Sequence, residues 1–594
     1  VKHDSKNFIL FALFAAIILL GSNFITQKFF PAANPPATKV VKGKSKALET
    51  STGPAAEGAM AVRDRVAVLR ESAGQRVRIE TPKLNGSINL KGAYVDDLTL
   101  SQYKETVAKG SPPIRLFSPR GTKDAYYAGF GWSGDGVTVP NGDTVYTASS
   151  NVLRPGQPVT LSYANPQGQR FALIIAIDDK YMFTVRQVAA NGGPTPIALR
   201  AYSIISRTGV GTEADTWTNH VGPIGVFDKG ATYDITYDNL KGKDASFFGK
   251  IWGSGAKPGE NMFDGNGGWV GFGDKYWLAA VIPDANSPVH AGFTAAKGDT
   301  FQGGFTLAPR VVAPGKALVT TAKLFAGAKE TNTLDRYEDR LGVRHFGKAI
   351  DWGWFEVVEK PIFKYLDWLF RMIGNFGVAI ILLTVTIRTL IFPIAQRQFA
   401  SMAAMKAIQP KVKLLQEKYK DDKPRQQQEM MALYKTEKVN PLAGCVPTLI
   451  QIPIMYSLYK VLLLTIEMRH QPFVGWIHDL SAPDPATILN LFGYLPYHLP
   501  AFLAIGIVPV LLGVSMYFQF KLNPAPMDDA QKQVFALMPW VLMFVMAPFA
   551  VGLQVYWITS NLWTVAQQRM LYARHPGMRE PAPAAAKTTK VAKT

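Results

Sequence analysis

The chain has 594 residues, 64 Lys and Arg against 44 Asp and Glu, and a formal net charge of +20, with 47% of its residues hydrophobic. That length calls for several domains or for one domain plus a membrane bundle. A single cysteine, Cys445, excludes an internal disulfide, and no DNA-binding motif accompanies the positive charge, so its distribution along the chain says more than its sum.

Lys2, His3 and Lys6 precede the apolar run Phe8–Leu20. A basic start before a short hydrophobic centre predicts an uncleaved transmembrane signal anchor over residues 1–30, which exports the segment after it. Residues 31–59, rich in Pro, Ala, Lys and Ser, bury no core and read as a flexible linker. From Arg65 the pattern changes. Segments such as RVRIET, PVTLSYA, FALIIAIDD, YMFTVRQVA and ATYDITY alternate or carry β-branched and aromatic residues, and Gly, Asn, Asp and Pro separate them. Many short strands at this spacing predict a large all-β domain of two sheets over residues 60–345. It contains no phosphate loop, metal-spaced His/Cys set or nucleophile elbow. His220, His290 and His345 lack ligand spacing and read as surface or packed residues. Trp132, Trp217, Trp252 and Trp269 read as core rather than as a carbohydrate cleft. Residues 351–372 interleave aromatics with Glu, Lys and Asp, which suits an interfacial amphipathic helix.

Residues 373–395 are apolar enough for a transmembrane span, yet Arg388 interrupts them. If the hydrocarbon ends near Ala395, Arg388 lies roughly 10 Å deeper at 1.5 Å per residue, toward the middle of a core about 30 Å thick. Such a charge needs water or polar neighbours. Residues 396–440 carry ten Lys and Arg and are therefore cytoplasmic. Met402, Met405, Ile408, Val412, Leu415 and Tyr419 recur every three to four residues. After the helix-start signal Asp421-Asp422-Lys423-Pro424, Met430 and Met431 continue an apolar stripe. This predicts a helical hairpin whose methionines either glue its two helices together or handle varied hydrophobic guests.

Residues 441–573 hold the remaining spans. Pro441–Thr465 leaves the cytoplasm, Ala501–Phe520 returns, and Val534–Val565 turns back at Pro548–Gly552 because the tail over 574–594 is again basic. The count is a six-span α-helical bundle, a five-span core plus the anchor, with both termini cytoplasmic and the β domain outside. No Asp, Glu or His is expected at midplane depth, so the candidate neighbours of Arg388 are neutral: Thr384, Gln451, Ser457, Ser515, Gln519, Gln554, Thr559, Ser560 and Asn561. A secondary transporter would need an acidic relay and repeated halves, and neither is visible. An envelope-binding protein with a plain anchor would need neither Arg388 nor the hairpin. Cys445 reads as a small packing residue.

The run TVTIR with a proline five residues on, the segment SMAAMKAIQPKVKLLQEKYKDDKPRQQQEMMALYKTEKVNPLAGCVPTLIQIPI, and the stretches WIHDLSAPDP and VYWITSNLWTVAQQ closely resemble the YidC insertases (YidC/Oxa/Alb family), in the Gram-negative form with a large periplasmic domain. The resemblance implies an inner-membrane insertase and foldase, not an enzyme and without cofactor or metal, that receives nascent hydrophobic membrane proteins alone or with the Sec translocon and its accessory subunits. It implies that the outer domain is a β-supersandwich akin to sugar mutarotases without their activity. It implies that Arg388 lies in a hydrophilic groove closed outward, with Thr384 and the Tyr556-Trp557 pair in contact with substrate. Gln451, Met455, Gln519 and Ser560 complete the expected groove, and Met402, Met405, Met430 and Met431 the expected capture surface. Ribosomes and targeting factors are the implied partners of the basic cytoplasmic regions, and membrane lipids surround the bundle.

Overall fold

The structure is a computed structural model that describes residues 62–211, 219–227, 230–242, 259, 261–296, 299–419, 422–437, 446–487, 505–522 and 529–574. The expected anchor, the linker and the tail beyond 574 lie outside the described residues. Contacts divide the chain after Trp354 into two units.

In the first unit the alternating segments form an eleven-stranded and a nine-stranded sheet. Pairing is antiparallel apart from the short parallel match of Arg78 and Ile79 with Val152 and Leu153. The strand Gln169–Ile177 buries every second side chain, as one covered face requires. By contrast, Tyr126–Ser133 and Trp269–Gly273 are buried almost throughout, which marks them as central strands. The two sheets meet through aromatic side chains and a few polar bonds. Phe272 of the nine-stranded sheet stands edge-on to Phe293 of the eleven-stranded one at 5.9 Å. Gln187 Nε2, also of the nine-stranded sheet, donates to the Gly131 carbonyl of the eleven-stranded one at 2.8 Å. Trp132 and Trp269 are both core residues, 1% exposed, and His220 is buried with Nε2 on the Pro223 carbonyl at 2.9 Å. Short helices accompany the sheets: α1 (Arg65–Glu71), α2 (Tyr237–Leu240) and α3 (Thr331–Leu341).

The second unit is helical: α4 (Glu356–Ile373), α5 (Phe376–Lys418), α6 (Lys423–Thr436), α7 (Val446–Leu464), α8 (Ile507–Lys521), α9 (Asp529–Met546) and α10 (Val551–Arg574). Hydropathy ends a span at 395, but the helix runs on to Lys418, because the three-to-four-residue apolar period continues through Met402 and Leu415 with no capping signal between. Asp422 caps α6 by accepting from Arg425 N at 3.2 Å, as the Asp-Lys-Pro signal implies. Among the described residues, Phe376–Gln396 is the helix long and apolar enough to cross a membrane. Pro453–Leu464, Ile507–Lys521 and Ala536–Met546 are shorter apolar helices. Helix α10 packs against α5, α7 and α8, and α4 lies along α5 and α7. Helix α4 turns two carboxylates inward, Glu359 at 0% and Asp367 at 9% exposure, while Val357, Trp368 and Met372 stay 87%, 52% and 66% exposed. Phe363, Leu366 and Leu369 are buried with them, so the covered face mixes charge with apolar groups and large apolar side chains remain outside.

Glu330, at the start of α3, joins both sheets of the first unit. Its carboxylate accepts from Lys83 Nζ at 2.6 Å, Tyr181 Oη at 2.7 Å, Tyr103 Oη at 3.1 Å and Thr333 Oγ1 at 2.7 Å. Burial alone would raise this carboxyl, but the donors from Lys83, Tyr181 and Thr333 hold it below its ordinary 4.5. A depressed folded-state pKa contributes stability above the unfolded value and loses it as pH falls through the folded value. Glu330→Gln is therefore expected to cost about 1.5–3 kcal/mol at pH 7, measured by calorimetry on the full chain. The gap to the parent should shrink below pH 4.5; a gap that stays constant in acid contradicts an ionic hub.

Candidate functional site

Helix α5 begins where Asn375 accepts from Val378 N at 3.0 Å and donates its own amide to the Phe473 carbonyl at 3.0 Å. Phe473 belongs to the segment 466–487 that comes after α7. Its ring occupies the space that a Cβ on Gly377 would fill, so only glycine lets the segment lie on the first turn of α5. The same segment reaches two more helix starts. The carboxylate of Asp484, 5% exposed, accepts from Trp476 Nε1 and Ala486 N at 3.0 Å and from Val508 N, in the first turn of α8, at 2.7 Å. The carbonyls of Ala482 and Leu480 accept from Val551 N and Gly552 N, at the start of α10, both at 2.9 Å. Helix N-termini carry orphan N–H groups; the loop accepts from them at α8 and α10, and at α5 it holds Asn375, the residue that caps the first turn. These three helices therefore start at a common capped end, where α7 finishes.

Below the cap lies a closely packed layer of apolar side chains. Ala379, Ile380, Leu383, Leu458, Val461 and Val551 are 0–1% exposed. Arg388 comes next, about 18 Å along α5 from Phe376 at 1.5 Å per residue. It is half-buried, and its guanidinium donates through Nε (2.9 Å) and Nη2 to the Ser560 hydroxyl of α10. Ser560 is 1% exposed and Tyr556, one turn earlier, 3%. Gln567 Nε2 donates to the Arg388 carbonyl at 3.4 Å, two turns beyond Ser560. Among the described residues no carboxylate pairs with Arg388. A guanidinium has five N–H donors, so a single serine leaves several for water or for a guest.

The other expected groove residues divide by what they touch. Thr384 is 0% exposed, and its hydroxyl donates to the Ile380 carbonyl at 2.7 Å within its own helix. Contact between Thr384 and a guest thus requires the helices to part. Asn561 Nδ2 bonds Ser515 Oγ at 2.9 Å and locks α10 to α8. Gln554 Nε2 donates to the Met546 and Phe549 carbonyls at 3.0 and 2.9 Å and holds the α9–α10 turn. Met455, Gln519 and Trp557 are half-buried on α7, α8 and α10. On α6, Met430 is half-buried and Met431 is 64% exposed. The side chains of Gln451, Met402 and Met405 lie outside the described residues.

Sequence reasoning missed three positions. Gln567 bears on the Arg388 backbone only because α5 and α10 pack in register, which no local pattern discloses. Lys460, 1% exposed on α7, and Glu359, 0% exposed on α4, are buried charges. A lysine inside the run 441–465 is the visible signal for the first; nothing local distinguishes Glu359 from the other charges of its helix.

The family model described as the 60Kd inner membrane protein matches residues 368–578, and the one described as the YidC periplasmic domain matches residues 76–365. The chain is 44% identical to the membrane protein insertase YidC of Zymomonas mobilis over 97% of this chain and 96% of that protein. It is 46% identical to that of Methylorubrum extorquens over 89% and 85%, and 43% identical to that of Brucella suis over 87% and 83%. The chain belongs to the YidC family of membrane protein insertases.

Proposed function

We propose that this chain inserts integral membrane proteins and helps them fold by receiving a guest segment between α5 and α10, with Arg388 as the docking charge. One observation carries the reading: a half-buried guanidinium that meets a single hydroxyl, beneath an apolar layer and a closed cap. A charge at the bilayer centre costs about 3 kcal/mol by insertion scales, so an arginine kept there without a carboxylate is best matched by a polar or acidic flank on the guest. The exposed Met431 and the neighbouring Met430, with Met402 and Met405 on the extension of α5, capture the hydrophobic segment. Arg388 and Ser560 hold its polar flank halfway across, and the cap prevents leakage at the far end. The apolar part leaves along Met455 of α7, Gln519 of α8 and the Tyr556-Trp557 pair of α10 into lipid. Thr384 belongs to the same wall, and Gln451, whose side chain lies outside the described residues, is assigned to it from the sequence alone. No covalent bond changes, so the chain is not an enzyme.

Family membership places the protein in the inner membrane with a periplasmic β-rich domain. The finer topology belongs to this proposal: six spans, both termini cytoplasmic, residues 60–345 outside as a supersandwich, 396–440 inside. The ten basic residues of 396–440 and the shared cap at the starts of α5, α8 and α10 support it. The Sec translocon, ribosome and targeting factors are the proposed partners, with anionic lipid beside the basic loops.

Two outcomes test the mechanism. At equal expression, Arg388→Lys should retain insertion of a membrane-protein reporter. Arg388→Ala loses a charge-assisted contact of about 1.5–3 kcal/mol and should slow insertion tenfold or more; full activity of the Ala variant on every substrate removes the docking role. Asp484→Ala strips Trp476 Nε1, Ala486 N and Val508 N of their acceptor. It should destabilise the bundle by about 1–3 kcal/mol and let an impermeant thiol reagent on the outer face label Leu383→Cys several times faster. Unchanged labelling would place the seal elsewhere.

A further inference from the structure

Two charges are buried in the helical unit away from Arg388: Glu359 of α4 at 0% exposure and Lys460 of α7 at 1%. Register brings them together. The Tyr365 hydroxyl of α4 lies 3.1 Å from the Thr386 hydroxyl of α5, and the Phe370 ring lies 5.0 Å from that of Phe376. Rising numbers on α4 thus meet falling numbers on α5, and the two helices are antiparallel. Helix α7 finishes at the capped end where α5 starts, so it too is antiparallel to α5. Helices α4 and α7 are therefore parallel. The Phe355 ring, at the start of α4, sits 5.7 Å from the Tyr456 ring of α7. One turn on along both helices, four residues each, come Glu359 and Lys460. A further turn brings Phe363 and Leu464, 1% and 3% exposed.

We propose that Glu359 and Lys460 form a buried ion pair that clips α4 onto α7, between an aromatic rung on one side and an apolar rung on the other. Opposite charges on facing helices, both enclosed, are tolerable there together and not alone; neither oxygen of the Glu359 carboxylate takes a hydrogen bond among the described residues, so the pairing is ionic and is read from burial and register. The competing carboxylates are less well placed. Asp367 is two turns farther along α4 and accepts from Arg371 Nε at 2.9 Å. Glu467 lies seven residues beyond Lys460, past the end of α7. The clip sits in the first turn of the helix by which the chain enters the second unit. It positions α4 against the helix that bears Met455, and it requires nothing of Arg388.

A double-mutant cycle on the full-length chain tests the pair. Glu359→Gln and Lys460→Met should each lower the folded-to-unfolded ratio in detergent by roughly a hundredfold or more. The double variant should recover most of that loss and recover reporter insertion as well. Lys460→Met combined with Glu467→Gln should show no recovery. If a single variant fails to accumulate while the double one does, the rescue is itself the expected result. Losses that simply add in the double variant, a double variant that does not accumulate, or a Lys460→Met variant as stable as the parent would each overturn the clip. The stability cycle keeps its meaning even if Arg388→Ala proves fully active, so failure of the clip and failure of the docking charge are separately readable.

Discussion

The constraint on which the helical unit depends is the cost of holding positive charge in an apolar medium. The bundle meets it differently at two depths. Lys460 is enclosed completely, near the capped end of α7, the helix against which α4 packs. Arg388 is only half-buried, with one serine hydroxyl for its guanidinium among the described residues. An enclosed charge demands a fixed partner, whereas a half-exposed one tolerates exchange between water and whatever polar group arrives. In the proposed mechanism that difference separates a structural charge from a working one.

The cap makes the difference sustainable. Had the first turns of α5, α8 and α10 been left open, their N–H groups would have drawn water in from that end as well. Segment 466–487 meets those of α8 and α10 with its own carbonyls and with Asp484 and holds Asn375, the cap of α5; in the proposed mechanism water then reaches Arg388 from the other side. Packing carries the same logic downward. The layer of Ile380, Leu383 and Val461 offers no polar atom to bridge cap and groove, and the hydroxyl of Thr384, which could, is turned back onto the Ile380 carbonyl. Asn561 with Ser515, and Gln554 with the α9–α10 turn, use further buried polar groups to hold helices in place.

How much was legible in the sequence depended on range. Period-two segments before residue 345, the apolar run broken by Arg388, the Asp-Lys-Pro start of α6 and the methionine stripe are all local, and a few neighbouring residues are enough to read them. The identity of the partner of Arg388 is not local. Nine neutral candidates are in view, and choosing Ser560 depends on how α5 and α10 are rotated, which is set by the cap and by Gln567. The continuity of α5 through 395 escapes a hydropathy reading because hydropathy changes there while helical period does not. Glu359 is hidden for the opposite reason: in a helix mixing aromatics with charges, composition does not say which charge turns inward, and here the apolar Val357 and Met372 are the ones left outside.

The two units apply one rule to opposite ends. In the β unit, Glu330 collects donors from Lys83, Tyr103, Tyr181 and Thr333, which tie α3 to residues of both sheets and the turns between their strands. A polar group so thoroughly satisfied is rigid, and rigidity suits a domain built from two sheets locked face to face. Arg388 has the same need for partners and among the described residues its guanidinium meets one. An under-satisfied cation is a poor way to stabilise a bundle, since removing it would cost the fold little and would dry the interior. Its retention is therefore better explained by a partner that comes and goes than by one that stays. A guest with a polar flank and an apolar body is the kind of partner whose two halves match a half-wet charge beside a wall of lipid-facing helices.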